Sequence, residues 1–129
     1  MIAVDTNTII RFLVNDDPKQ YKKVYSIFNT QEVFIPDTVI LETEWVLRYA
    51  YEFSPKEICD SLTKLFGLKN IHLSNSTSIS QAIDWHRKGL DFSDALHLTQ
   101  CQQYKKLYTF DKAFASKAKK QSNCTVELL

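Results

Sequence analysis

Glycine and proline are scarce in this chain, two and three residues out of 129. A sequence so poor in both lacks the composition of a long linker or a disordered tail. Cysteine is scarce too. Cys59, Cys101 and Cys124 are odd in number and far apart, and no pair has the spacing of zinc ligands. Reduced, buried thiols are expected rather than a disulfide framework. No apolar run approaches a membrane span, and the first residues lack the basic and small-residue signature of a secretory leader. The expectation is a soluble, cytoplasmic protein with no membrane partner. Neither sign of charge dominates, the formal net charge being +1.

What is present is ordinary for a globular domain: 44% apolar and 24% charged residues. A chain of 129 residues suits a single domain, 1–129, that buries roughly two-thirds of its unfolded surface. Charge is unevenly spread. Six lysines (Lys105, Lys106, Lys112, Lys117, Lys119, Lys120) surround one acid, Asp111. Such a segment can steer a polyanion, or simply be a solvated helix face.

The stretch MIAVDTNTIIRF reads as a short buried strand, a turn and a helix. Asp5 lies at the strand's carboxyl end and at the helix N-cap. Ligands of open α/β sheets bind at such junctions. Pro18 starts a second helix, running to about Asn29, with Tyr21, Val24, Tyr25 and Phe28 on one stripe. Val33 to Ile35 is a strand stopped by Pro36. Asp37 or Thr38 can cap a third helix, Val39 to about Tyr51. Ser54-Pro55 opens a fourth, closed by Gly67. Ile71 to Leu73 is a weak strand. A helix bearing Ile79, Ala82, Ile83 and His86 follows and closes at Gly89. Asp91 to Asp94 open the next helix. Leu107 to Phe110 is a strand, Asp111 opens a short helix, and Cys124 to Leu128 is the last strand. Strands alternating with helices imply an α/β protein with a parallel sheet and helices on both faces.

Four acids stand out. Asp5 and Asp111 each follow a strand and precede a helix. With Asp91 as N-cap, Asp94 is the third helical residue and points back toward the helix start. Glu42 has Val39, Val46 and Tyr49 at helical spacing, which predicts an inward-facing acid in need of a partner. Glu44, with Arg48 four residues ahead, is the ion-pairing acid. Each aspartate alone is explained as a cap; the joint pattern is harder to explain so. Two carboxylates about 4 Å apart repel by about 4 kcal/mol at an effective dielectric of about 20. A helix N-terminus offsets only ~0.3–1 kcal/mol. Acids that converge therefore need divalent cations or raised pKa values. Oxygen-only ligands favour Mg²⁺ or Mn²⁺ over zinc, and a carboxylate-held pair of ions ~3.5–4 Å apart suits in-line attack on a phosphodiester.

Four segments occur in order: Val4-Asp5-Thr6-Asn7, Val39-Ile40-Leu41-Glu42 with Trp45-Val46-Leu47, Asp91-Phe92-Ser93-Asp94-Ala95-Leu96-His97, and Tyr108-Thr109-Phe110-Asp111. Together they resemble the PIN-domain ribonucleases, specifically the VapC-type toxins of bacterial toxin–antitoxin pairs, over nearly the whole chain. The resemblance implies a three-layer α/β/α sandwich around a short parallel sheet. It implies a Mg²⁺- or Mn²⁺-dependent endoribonuclease with its acidic site at Asp5, Glu42, Asp94 and Asp111. It also implies a homodimer, an RNA substrate (a transfer RNA by family likeness), and inhibition by a cognate VapB-type antitoxin. Asp5 and Asp94 are the expected direct ligands, Glu42 holds an ion or its water, and Asp111 serves a second ion or acts through water. Asn7 and Thr109 are expected to orient these acids by hydrogen bonds. For Thr6, local turn bonding is expected instead.

Other residues are read as packing. His97 is expected at the core edge, Trp45, Trp85 and the phenylalanines in the core, and His72 and His86 without an acid or cysteine partner. A haloacid-dehalogenase-type phosphatase needs Asp-x-Asp after the first strand, and Asn7 removes the second acid. A receiver-like domain lacks its paired acids here. The rival from another class is a catalytically silent PIN-like module that binds RNA or protein.

Overall fold

A computed structural model of the chain describes residues 1–119 and 121–129, so Lys120 of the basic segment lies outside the described residues. The chain divides into two compact units, Met1–Ser76 and Thr77–Leu129. Both are α/β with parallel strands, the expected fold class. No helix among the described residues is long and apolar enough to cross a membrane.

In the first unit the order is β1 (Ile2–Ala3), α1 (Thr6–Val14), α2 (Pro18–Thr30), β2 (Val33–Phe34), α3 (Asp37–Tyr49), α4 (Pro55–Phe66) and β3 (Ile71–His72). The strands pair in parallel in the order β1-β2-β3, with Ile2 opposite Val33 and Val33 opposite Ile71. Parallel neighbours need long crossovers, which the two helix pairs supply. β1 is an exposed edge strand, not the buried one its apolar residues suggested; among the described residues it pairs with β2 alone, and Ile2 stays 37% exposed. The core lies below the sheet's helices, where Ile9, Ile10, Ile35, Ile40, Leu47, Ile58 and Leu62 are buried. Asp17 caps α2 ahead of Pro18, and Ser54 with Glu57 forms a reciprocal capping box on α4.

α3 departs from expectation in three ways. Its N-cap is Pro36, with no side-chain bond, so neither Asp37 nor Thr38 caps it, and it ends at Tyr49. Its buried stripe is Ile40, Thr43, Glu44 and Leu47. At about 100° per residue, Glu42 then falls on the opposite, exposed face. The inward acid is Glu44, whose carboxylate meets Arg48 Nε at 2.9 Å. Trp45, expected in the core, shares the outer face with Glu42 and Tyr49 and is 55% exposed. It packs on Tyr49, over whose ring Arg48 also sits. On α2 the stripe is likewise only partly buried: Val24 and Phe28 are covered and Tyr25 is exposed. His72 does find an acid, Glu32, at 3.0 Å. The two meet because β2 and β3 lie side by side, which spacing along the chain conceals.

α5 (Ser76–Arg87) leads into the second unit, followed by α6 (Phe92–Thr99), β4 (Lys106–Thr109), α7 (Lys112–Lys117) and β5 (Thr125–Leu128). β4 and β5 pair in parallel from Lys106 opposite Thr125 to Thr109 opposite Leu128. The strands therefore form two ladders where a single sheet was expected. Trp85, Phe92, Leu98 and Phe114 are buried. The turn from α5 to α6 depends on Gly89, whose φ of 108° other residues rarely adopt. It lets His86 Nδ1 bond the Leu90 carbonyl at 2.7 Å, with the ring edge-on to Phe92. The three cysteines are free thiols, Cys59 and Cys124 being buried.

Glu44 is 1% exposed and Arg48 33% exposed, so their pair stands between the surface and buried limits. Replacing Arg48 with Ala should lower unfolding free energy by about 2 kcal/mol, against ~1 for an exposed pair and ~3–5 for a buried one. Urea denaturation measures this, and Glu44→Gln in the same chain should restore part of the loss.

Candidate active site

Parallel strands send their carboxyl ends to one side, and in the first unit two helices begin there. Asp5 follows β1 directly and caps α1. Its Oδ1 accepts the Thr8 amide at 3.0 Å and the Thr8 hydroxyl at 2.8 Å. These bonds, the backbone one first, hold the exposed Asp5 carboxyl below its ordinary pKa. The next residue, Thr6, is buried and donates its hydroxyl to Glu42 Oε1 on α3. That bond spans 36 residues and ties the strand end carrying Asp5 to the helix carrying Glu42. Local turn bonding, the expectation for Thr6, is not what it does. α1 packs on α3, which turns the Thr6 side chain toward Glu42 rather than back onto its own turn.

Asn7 is exposed and bonds neither acid among the described residues. Asp37 was read only as a cap. It opens α3 at the same sheet edge, and its buried Oδ1 has no hydrogen-bond partner among the described residues. Its one visible signal in sequence is its place immediately after a strand-stopping proline.

The other two candidate acids lie in the second unit. Asp91 caps α6, its Oδ1 accepting the Ser93 hydroxyl at 2.6 Å and the amides of Ser93 and Asp94 at 3.0 and 3.3 Å. Asp94 is therefore the third helical residue, as expected, and is half-buried. Burial pushes its carboxyl above the ordinary pKa. The charges of Asp91 and Asp111 push it further, and His97 opposes them. So Asp91, Asp111 and His97 each lie within electrostatic reach of Asp94. His97 is exposed, not a core-edge packer. Its position three residues after Asp94 puts it on the same helix face, outside the buried stripe of Phe92, Ala95, Leu96, Leu98 and Thr99.

Asp111 follows β4 and caps α7, its Oδ1 accepting the Phe114 amide at 3.0 Å. Thr109 supports it from the strand: its hydroxyl accepts the Asp111 amide at 3.0 Å. In Asp5, Asp91 and Asp111 alike it is Oδ1 that serves the helix, which leaves Oδ2 outside the cap. Capping and ion binding therefore do not compete for the same oxygen.

Among the described residues, no three His, Cys, Asp or Glu side chains stand close enough together to form a metal cage. A magnesium ion does not require one. It keeps most of its waters and is commonly held by one or two carboxylates with substrate phosphate. The donors here are all oxygen, and a cation would offset what burial and the Asp91 and Asp111 charges do to the Asp94 carboxylate. The residues fit a hydrated divalent ion and do not fit zinc.

The chain matches the family model of the PIN domain over residues 2–120. No curated protein matches it.

Because folded Asp94 holds its proton more tightly than the unfolded chain does, stability falls as pH rises from 3.8 through the raised value. The cost persists at neutral pH. Asp94→Asn should therefore melt above wild type at neutral pH in chelator, with no gain well below pH 3.8. Added Mg²⁺ should raise the wild-type melting temperature and leave that of the variant unchanged. Thermal scans across pH and metal check both.

Proposed function

This chain belongs to the PIN-domain family, a family of metal-dependent nucleases, and on that premise we propose that it is an endoribonuclease of the VapC toxin type. The observation that carries this reading is the state of Asp94. Its carboxyl is half-buried in the first turn of α6, directly after the capping Asp91, while Asp5 and Asp111 each follow a strand and open a helix. A carboxyl pushed upward by burial and by neighbouring acids is a candidate for a functional site.

In this reading Asp5, Glu42, Asp94 and Asp111 hold Mg²⁺ or Mn²⁺. When bound, the ion offsets the charge of the scissile phosphate and acidifies an attacking water. The chain's own residues do the rest. Thr8 keeps Asp5 ionised well below neutral pH, so it is ready to bind a cation. Thr6 orients Glu42, and Thr109 orients the turn that carries Asp111. Asp94, whose charged form burial and the two neighbouring acids disfavour, would gain from a bound cation. His97 moderates its charge.

The substrate is RNA, a transfer RNA by family likeness, and the reaction is phosphodiester hydrolysis in the cytoplasm. The partners are a second copy of the chain and a small VapB-type antitoxin. The antitoxin would place a basic side chain against the acids and cover nearby apolar surface. The lack of a three-residue cage among the described residues favours one rival, a PIN-fold module that binds without cutting.

Metal dependence separates the two. Purified protein should cut RNA with Mg²⁺ or Mn²⁺ and stop in chelator. Asparagine caps helices as well as aspartate, so Asp5→Asn should melt near the wild-type temperature. It should nevertheless lose more than about a hundredfold in cleavage rate, since even outer partners of a metal ligand are worth ~10–100-fold. Thr6→Val, which removes only the bond to Glu42, should lose about tenfold. Gel analysis of end-labelled RNA reads the rates, and undiminished cleavage by Asp5→Asn would sink the assignment.

A further inference from the structure

We propose that the second unit carries a binding site for an uncharged purine nucleoside, apart from the acids. The start of α5, the end of α6 and the turn that enters β5 line a recess of about 470 Å³. That is far more than a water needs and within the range of small-molecule sites. Asp94 lies at the other end of α6. The turn entering β5 is at the amino end of the β4–β5 ladder, and Asp111 is at its carboxyl end. The inference stands whether or not the chain cuts RNA.

The polar groups of the recess divide in two. One set builds the wall. The Gln102 amide donates to the Leu98 carbonyl at 2.7 Å and accepts the Asn123 backbone amide at 3.1 Å, which ties the β5 turn to α6. The Thr99 hydroxyl donates to the Leu96 carbonyl at 2.6 Å, and the Ser122 hydroxyl to that of Cys124. The recess is therefore held open by the protein's own bonds. The other set is unspent. The side chains of Thr77, Gln81 and Asn123 make no hydrogen bond among the described residues. Trp85 is 4% exposed, and its indole N–H also lacks a partner among them. That nitrogen is not one of the unsatisfied side-chain atoms sealed from solvent. It therefore opens outward, and the recess is where Trp85 meets solvent.

The lining selects the occupant. Among the described residues no side chain around the recess is charged, so a phosphate or carboxylate finds no counter-ion there. A carboxamide presents a donor and an acceptor side by side in one plane, the pattern that matches the edge of a nucleobase, adenine above all. Gln81 and Asn123 each offer that plane. Trp85 adds a donor beside an apolar ring, and Thr77 a hydroxyl for the ribose.

Trp45→Phe leaves Trp85 as the sole tryptophan, and position 45 is exposed on α3. In that protein adenosine should change Trp85 emission along a saturable curve, and calorimetry on the wild-type chain should give the same affinity. Gln81→Ala and Asn123→Ala, both at exposed positions, should each weaken binding about threefold to tenfold with melting temperatures unchanged. Adenosine monophosphate should bind no tighter than adenosine, and glucose should not bind. No saturable response up to the solubility of adenosine would overturn the proposal. So would unchanged affinity in both alanine variants, which places the nucleoside elsewhere. Tighter binding of the monophosphate would make the recess an anion site, and equal binding of glucose a general polar one. Either result removes the nucleoside.

Discussion

A helix start can hold a carboxylate without neutralising it, and the candidate site depends on that. Asp5, Asp91 and Asp111 each give Oδ1 to amides of a first helical turn. The cap fixes the side chain's position through that one oxygen. At Asp5 the consequence is visible as a lowered pKa. Asp94 lacks this support. It sits inside the first turn of α6, its amide takes the Asp91 bond, and its carboxyl is left with burial and two negative neighbours. One architectural device thus produces acids of two kinds: those held by amides at the caps, and one within the turn whose carboxyl burial and like charge push upward. A divalent cation can use both, because it binds readily to the first and lowers the pKa of the second.

Much of this was legible in the sequence because caps are local. Asp5, Ser54, Asp91 and Asp111 all serve the helices their positions suggested. A cap needs only the residue and the few amides after it, so a short window contains the whole interaction. The parallel pairing was legible for a related reason: each pair of adjacent strands is separated by at least one helix, and antiparallel hairpins need no such crossover.

What could not be read depended on phase and on partners distant in sequence. On α3 apolar residues occupy nearly every face, so a stripe through Val39, Glu42 and Val46 looked as good as the true one through Ile40, Thr43 and Leu47. A shift of one residue turns a helix by about 100°, enough to exchange the roles of Glu42 and Glu44. The Thr6 bond to Glu42 and the His72 pair with Glu32 join residues 36 and 40 apart, and nothing local distinguishes them from turn bonding or isolation. Phe110 and Trp45 were assigned to the core by type alone. Type gives average burial, but surfaces also carry apolar area, and where that area gathers is a tertiary fact.

An acidic site that acts on a polyanion has a difficulty of its own: the groups that bind the cation repel the substrate. In the second unit the sequence separates the two tasks by distance along one segment. Asp111 stands at the end of β4, and exposed lysines lie on either side, at Lys105 before the strand and at Lys112, Lys117 and Lys119 after it. At physiological ionic strength, screening acts over about 8 Å. A phosphate is attracted by these exposed lysines, and the acid's repulsion of it persists until a cation is present. Attraction then comes from residues that need not touch the reacting bond, and the acids remain free to hold the ion. The same separation explains why a net charge of only +1 is compatible with a nucleic-acid substrate. Steering depends on where cations lie relative to the path of approach, not on their sum.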